Sequence, residues 1–314
     1  MHYYFAPMEG LTDSVFRRLH HTYFPGVDRY YMPFISPTMH RALTPREIRE
    51  LPPADSVPFA AVPQILTKVP EDFLWAAEQC AALGYTEVNL NLGCPSGTVV
   101  SKGKGSGMLA DPDNLDRFLD GIFSAAPISV SVKSRLGLTD PQEFPRLLEI
   151  YNRYPVAELT LHPRVRKAFY SGRVDMEMFT YCAENSKNPV CYNGNICNHA
   201  DIEKIMVQFP RVQSVMIGRG LIADPGMLSP GGTNPQALET MFDSMLEEYQ
   251  TLFGGSRNAM FRLKEHWGFL LRRFAGSEKL GKRLRKTTDL GEYRAITHEI
   301  FHTLPLQEHF APDW

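Results

Sequence analysis

The sequence predicts a (β/α)8 barrel followed by a small all-helical part. Three observations carry that prediction. Short apolar strand-like runs alternate with longer amphipathic segments over the first two thirds of the chain, polar residues gather just after those runs, and the composition changes at Pro230-Gly231-Gly232-Thr233-Asn234-Pro235. Eight runs read as strands: 3–6, 29–32, 60–66, 87–92, 128–133, 158–161, 190–192 and 214–217. Between them, 13–21, 70–83, 113–124, 141–154, 176–185 and 198–209 read as helices. Asp111 and Pro112 have the residue types of an N-cap and a first helical position. An open doubly wound sheet is the alternative, but it normally carries a compact glycine fingerprint after its first strand. Ala6-Pro7-Met8-Glu9-Gly10 is not one. Beyond the Pro/Gly linker, helices are expected over 236–253, 259–274 and 293–303, with a basic segment at 279–286. The chain thus divides into a barrel over 1–230 and a helical domain over 236–314.

Composition narrows the functional classes. With 314 residues, 43% of them apolar and 22% charged, the chain can bury a large core. A net charge of -2 gives no global reason to bind nucleic acid, so any such role must come from local clustering. Arg257 to Lys286 supplies it, with ten Lys or Arg against Glu265 and Glu278. Alone, a charge run is as readily a solvated face. Beside Trp267, Phe269 and a barrel mouth it becomes a candidate tracker of a phosphate backbone, and no DNA-reading motif accompanies it. The five cysteines, at 80, 94, 182, 191 and 197, lack CxxC spacing and are odd in number. That argues against a disulfide framework or a tetrathiolate metal site and fits a reducing cytoplasm. No apolar run approaches the roughly 18 residues of a membrane span, and the chain opens on a strand rather than on a targeting signal.

The chemistry is expected around Cys94. Val88 to Leu92 alternates apolar and polar residues, and Gly93 and Pro95 then end regular structure on either side of the thiol. The loop runs on through Gly97, Lys102, Gly103, Lys104, Gly105 and Gly107, so many glycines implying mobility or close approach of a ligand. An isolated cysteine is more often structural. Here Gln64, Asn91, Lys133, Arg135, His162, Arg164, Asn193 and Arg219 all fall at equivalent strand ends with it, where parallel barrels build their sites. Asn193-Gly194-Asn195 and Gly218-Arg219-Gly220 follow the last two strands, the common place for a phosphate held by backbone N–H groups, with Arg219 as a clamp.

Taken together these motifs resemble the tRNA-dihydrouridine synthase family over nearly the whole chain. Ala6-Pro7-Met8-Glu9-Gly10-Leu11-Thr12-Asp13, Asn89-Leu90-Asn91-Leu92-Gly93-Cys94-Pro95-Ser96, Gly105 to Pro112, Val130 to Gly137, Leu161-His162-Pro163-Arg164, Asn193 to Ile196 and Ile217 to Gly220 match in order, most specifically around Cys94. The resemblance implies tightly bound FMN across the barrel top above Ala6, Pro7 and Met8, with Gln64, Lys133 and His162 at its ring system. Its phosphate is expected on the backbone of Asn193, Gly194, Gly218 and Arg219, beside Asn195. It further implies NADPH as reductant, Cys94 as proton donor to an extruded uridine, and Asn91, Arg135 and Arg164 at the base. The tRNA backbone then falls to Lys264, Arg272, Arg273, Lys282, Arg283, Arg285 and Lys286, on a monomeric enzyme. Pro163 and Asn195 depart from the glycine and aspartate common in the family. The competing reading is an FMN barrel acting on a free pyrimidine or another small molecule, which gives no reason for a basic helical appendage.

Overall fold

The computed structural model describes residues 1–307 together with Phe310 and Pro312. Of the helical part expected over 236–314, residues 308, 309, 311, 313 and 314 lie outside the described ones. Nine strand segments form one parallel sheet: β1 (His2–Phe5), β2 (Arg29–Tyr31), β3 (Ala61–Val62), β4 (Gln64–Ile65), β5 (Glu87–Leu92), β6 (Ser129–Arg135), β7 (Leu159–His162), β8 (Val190–Tyr192) and β9 (Ser214–Ile217). The sheet order begins at β3 and ends at β4, and only Pro63 separates those two. Proline has no N–H to give to a ladder. Its carbonyl still accepts from Asn89 at 2.8 Å, while Val62 O on its other side accepts from Met32 at 2.9 Å. Segments β3 and β4 are therefore one strand interrupted at Pro63, and the eight expected strands close into the barrel.

Each of the six expected barrel helices is present. The first is Ser14–Tyr23, whose N-cap Asp13 accepts the Phe16 N–H at 3.0 Å. Asp111 caps the helix Pro112–Phe123 through the Asn114 N–H at 3.0 Å. The stretch 141–154 is split into a 3-10 turn and the helix Phe144–Tyr151. A short helix not expected from the sequence, Pro45–Glu50, is nucleated by a Thr44–Glu47 capping box.

Alternation along the strands sorts two environments. Phe5, Val88, Leu90, Val132, Leu161, Val215 and Ile217 belong to the apolar layer under the helices. Tyr4, Ala6, Tyr31, Val62, Cys191 and Met216 form a separate cluster inside the ring. The remaining interior positions are polar and bonded to one another. Arg29 donates to Glu87 (2.9 Å), Ser214 to Glu158 (2.6 Å) and Asn89 to Ser131 (2.9 Å). The polar face of β5 thus looks onto the barrel axis rather than onto water, and these bonds meet the desolvation cost in part, since Glu87 Oε1, Glu158 Oε2 and Thr160 Oγ1 are buried without a hydrogen-bond partner.

The helical part packs on the first βα turn of the barrel. Its main helices are Pro235–Phe253, Ser256–Leu270, Glu278–Lys286 and Leu290–Thr303. Tyr249 donates to both carboxylate oxygens of Asp13 (2.9 Å each), His266 Nε2 donates to Leu11 O (2.8 Å), and the His266 ring stacks on Phe16. The expected linker is pinned rather than loose. Thr233 Oγ1 donates to Asp224 and accepts the Gly226 N–H, and Asn234 caps the helix that follows.

Candidate active site

Strand register brings the candidate residues together. Gln64 pairs with Asn89, Asn91 with Lys133 and Arg135 with His162, so their side chains step around one rim of the ring. At that rim, the C-terminal end of the strands, lies a cavity of about 630 Å³. Ala6, Pro7, Met8, Gln64, Asn91, Cys94, Lys133, Arg135, His162, Asn193, Gly194, Gly218 and Arg219 all line it. Arg164 and Asn195 stand one layer behind, against His162 and Arg219.

Cys94 is held by a relay of carboxamides. Asn91 Oδ1 accepts the N–H groups of Gly93 (3.1 Å) and Cys94 (2.9 Å), while its Nδ2 donates to Gln64 Oε1 (2.7 Å). Gln64 Nε2 in turn donates to Asn89 Oδ1 (2.8 Å) and Asn89 Nδ2 to Ser131 Oγ (2.9 Å), which completes a chain across three strands. The loop beyond is folded onto the cysteine. Ser106 donates to Cys94 O through its amide (3.2 Å) and its hydroxyl (2.8 Å). Gly105 has φ +57, and a Cβ there would stand 3.0 Å from Cys94 Cβ. Gly105 therefore has a use beyond the mobility or ligand approach expected of so many glycines, close packing against the cysteine backbone. Lys104, one of the two lysines near it, is bonded to Ser36 Oγ at 3.1 Å. Burial pushes the half-buried Cys94 thiol above its ordinary 9.0, against the opposing pull of the Ser96 amide, Arg135 and Lys133. It is a thiol at neutral pH.

Among the described lining residues, the ionisable groups other than Cys94, Tyr170 and Glu9 are basic. Burial, then Arg135, brings the Lys133 ammonium down to about 7. His162 is depressed well below 6.5 by burial and by Arg135, Lys133 and Arg164. Since Arg164 can only donate, its 3.1 Å contact makes His162 Nε2 the acceptor and leaves the proton on Nδ1 of a neutral ring. The Arg164 N–H bonds back to His162 O at 2.7 Å across Pro163, a three-residue turn whose central φ proline pre-sets. Asn195 Oδ1 accepts from both Arg164 (3.1 Å) and Arg219 (3.3 Å). Burial lowers Arg219 to about 10. Among the described lining residues Glu9 is the single carboxylate, and it is paired with Arg46.

Several of the expected site residues already have partners within the fold. Arg135 is buried and donates to Gly93 O (2.7 Å) and Phe169 O (2.6 Å), so it ties the cysteine loop to the loop after β7. The Asn193 N–H is taken by Leu161 O (3.0 Å) and its side-chain amide by Met216 O (2.7 Å), which leaves no backbone donor there for a phosphate. Glycine at 194 is demanded by packing, because a Cβ would lie 2.0 Å from Tyr192 Oη. In the helical part Trp267 is a core residue donating to Tyr293 (2.9 Å), whereas Phe269 lines the cavity. Arg273 turns inward to Asp224 (3.3 Å) and Lys264 to the carbonyls of Arg285 and Thr287. Arg283 lies near Glu299 (3.6 Å). Arg272, Lys282, Arg285 and Lys286 are exposed, the last three on one helix whose other face buries Leu280 and Leu284.

The sequence reading missed Phe169 and Tyr170, both of which line the cavity. Tyr170 lies between two guanidinium groups, with Arg135 5.1 Å and Arg219 5.3 Å from its ring centroid, and meets His162 edge-on. The available signal was an aromatic pair in a loop without apolar periodicity. Phe169 holds φ +50, uncommon for a bulky residue.

The family model described as "Dihydrouridine synthase (Dus)" matches residues 4–292. A probable tRNA-dihydrouridine synthase of Rickettsia bellii is 30% identical over 262 residues, covering 79% of this chain and 78% of that protein. One from a Synechocystis species is 24% identical, over 96% of this chain and 86% of its own. Among solved structures, a morphinone reductase variant in complex with tetrahydroNAD superposes with a TM-score of 0.52 at 11% identity, covering 72% of this chain and 85% of the other, a likeness of fold. The cysteine loop, the rim of polar strand ends and the match over nearly the full length agree: the chain belongs to the dihydrouridine synthase family and is an enzyme of the flavin-dependent oxidoreductase kind.

Proposed function

We propose that this chain reduces the carbon 5 to carbon 6 double bond of particular uridines in tRNA, with FMN in the cavity and NADPH as the reductant. The observation that carries this reading is the meeting of Cys94, Lys133 and His162 in one cavity, where burial raises the thiol and lowers the ammonium and the imidazole. The substrate class follows the names of the curated relatives.

The donor set fits FMN. About 630 Å³ is within the range of cofactor pockets, and the surplus of cations over carboxylates suits an anionic phosphate. Arg219, Gly194, Gly218 and the Asn195 carboxamide would hold that phosphate, and Gln64, Lys133 and His162 the ring system, above Ala6, Pro7 and Met8. The chemistry FMN contributes when bound is a hydride for carbon 6. Cys94 then gives its proton to carbon 5, which a thiol raised above 9.0 holds at neutral pH. Lys133, whose ammonium carries several N–H groups, is a donor for negative charge that develops on the uracil oxygens, while Arg164 fixes from behind the imidazole that faces the ring system. Asn91 acts on the thiol by holding the Gly93 and Cys94 amides. A base stacked in RNA cannot enter such a cavity, so the uridine is extruded, and the helical domain from residue 236 holds the RNA through Arg272, Lys282, Arg285 and Lys286.

The test is nucleoside mass spectrometry of tRNA from cells lacking the gene and cells complemented with it. Dihydrouridine disappears from at least one position and returns with the wild-type gene but not with Cys94→Ala. An unchanged profile in a strain without redundant paralogues rejects the reading, and turnover of free uridine by the purified enzyme favours a small-molecule reductase.

A further inference from the structure

His298 and His302 lie four residues apart on the helix Leu290–Thr303, so both fall on one side of it. Glu239 of the helix Pro235–Phe253 reaches them from the neighbouring helix. His298 Nδ1 is 3.1 Å and His302 Nδ1 3.7 Å from the same oxygen, Glu239 Oε1, and the two imidazole centroids are 3.9 Å apart. One ligand atom from each residue falls within a 4.8 Å span. None of the three lines the barrel cavity.

We propose that Glu239, His298 and His302 form a binding site for a zinc ion or a similar divalent transition metal, which staples the two helices together. In a tetrahedral zinc site with bonds of about 2.0–2.2 Å, neighbouring ligand atoms stand about 3.3–3.5 Å apart. The observed 3.1 and 3.7 Å bracket that separation. Two imidazoles and one carboxylate are also the ligand chemistry that borderline cations select. The surrounding charge favours a cation. Asp243, one turn along from Glu239, interacts electrostatically with both Glu239 and His298, and Arg294 is the opposing positive charge. Glu247 is a further carboxylate acting on Asp243, so three carboxylates gather about one guanidinium.

The hydrogen bond from His298 to Glu239 and the helix turn that carries His302 fix how the rings sit without metal, and they leave both Nδ1 atoms beside one carboxylate oxygen. His302 Nδ1 donates to His298 O at 3.0 Å. Metal binding through that atom breaks this bond and moves the ring proton to Nε2, which faces no such demand on an exposed side chain. Three protein ligands leave the fourth position to water.

The experiment is calorimetric titration of chelator-stripped full-length protein with zinc chloride, after alkylation of Cys94 to remove the one half-buried thiol. One equivalent is expected to bind and to raise Tm. His302→Ala and Glu239→Gln are expected to lose more than about 100-fold in affinity, beyond the 10–100-fold typical of losing an outer partner. His298 and His302 are exposed, so the His298→Ala/His302→Ala double variant keeps its metal-free Tm. No heat and no Tm shift with wild type up to millimolar zinc overturns the site, as does undiminished binding by the double variant.

Discussion

The side-chain oxygen of Asn91 accepts the backbone N–H of Cys94 at 2.9 Å while its amide is spent on Gln64 at 2.7 Å. The last polar residue of a strand therefore sets the position of the thiol one turn beyond it. Reactivity at Cys94 depends on a residue that offers little of its own surface to a substrate.

Replacing Asn91 with alanine leaves the Gly93 and Cys94 amides and the Gln64 carbonyl without their partner, at a cost of about 1–3 kcal/mol in stability. A thiol displaced by an ångström loses about 10²-fold in turnover. Bound-flavin absorbance should stay while kcat falls. Full kcat in Asn91→Ala would remove the residue from the positioning role.

Cys94→Ala is expected to bind flavin and to reduce no uridine. The wild-type pH profile carries the complementary signature. Because burial raises the thiol above 9.0, its proton is present through neutral pH and is lost only as pH climbs past that raised value, which gives kcat a second alkaline fall beyond the one that deprotonation of Lys133 produces near pH 7. Cys94→Ser retains a weaker acid without that second limb. A second limb that persists unchanged in Cys94→Ser belongs to some other group.

The barrel was legible because its strands are short, β-branched or aromatic, and separated by capped helices such as the one behind Asp13 and the one behind Asp111. Residues at strand ends were legible for the same reason, since register carries Gln64, Asn91, Lys133 and His162 to one rim automatically. What stayed hidden is which partner each polar group finds. Arg135 and Arg273 carry the same charge as an RNA-facing arginine, yet they turn to Gly93 O and to Asp224, contacts between residues distant in sequence. Tyr170 gave no periodic signal because the loop that carries it has no repeating environment to impose one. Glycine roles were similarly mixed. Gly105 admits the Cys94 backbone and Gly194 admits a tyrosine hydroxyl, and composition alone does not separate a packing glycine from a ligand-facing one.

Tyr170 bridges Arg135 and Arg219 with its face while 48% of its surface stays exposed. Each cation–π contact at such a site contributes about 0.5–1 kcal/mol. Tyr170→Ala should lower stability by no more than about 1–2 kcal/mol, yet freeing two guanidinium groups at the cavity mouth should raise KM for tRNA. Tyr170→Phe keeps both stacks but loses the hydroxyl contact with Arg135, so it restores most of KM. Equal KM in all three proteins would leave the ring a structural role only.

Lys133 links stability to pH with a defined sign. Its ammonium is lowered from 10.5 to about 7 in the folded protein, so between those values the unfolded chain binds more protons and stability rises with pH. The burial penalty is fully present below pH 7 and gone above 10.5. Lys133→Met is therefore expected to raise Tm most at pH 6, with the gain shrinking toward pH 10, and to lose activity throughout. A Tm difference that does not change with pH contradicts the depressed value.

Asn195 holds two arginines with one neutral oxygen, at 3.1 Å from Arg164 and 3.3 Å from Arg219. Asn195→Asp supplies a full charge to both, and hydrogen bonds to charged groups contribute about 1.5–3 kcal/mol where neutral ones give about half that. Tm should rise. The same carboxylate competes with an anion for Arg219, so the affinity for FMN should fall by about tenfold, at 1.4 kcal/mol per decade, while riboflavin, which lacks the phosphate, should bind unchanged. The pairing of the two ligands separates phosphate recognition from ring binding. A parallel loss for riboflavin and FMN moves the effect of Asn195 from Arg219 to the ring, through Arg164 and the imidazole it orients.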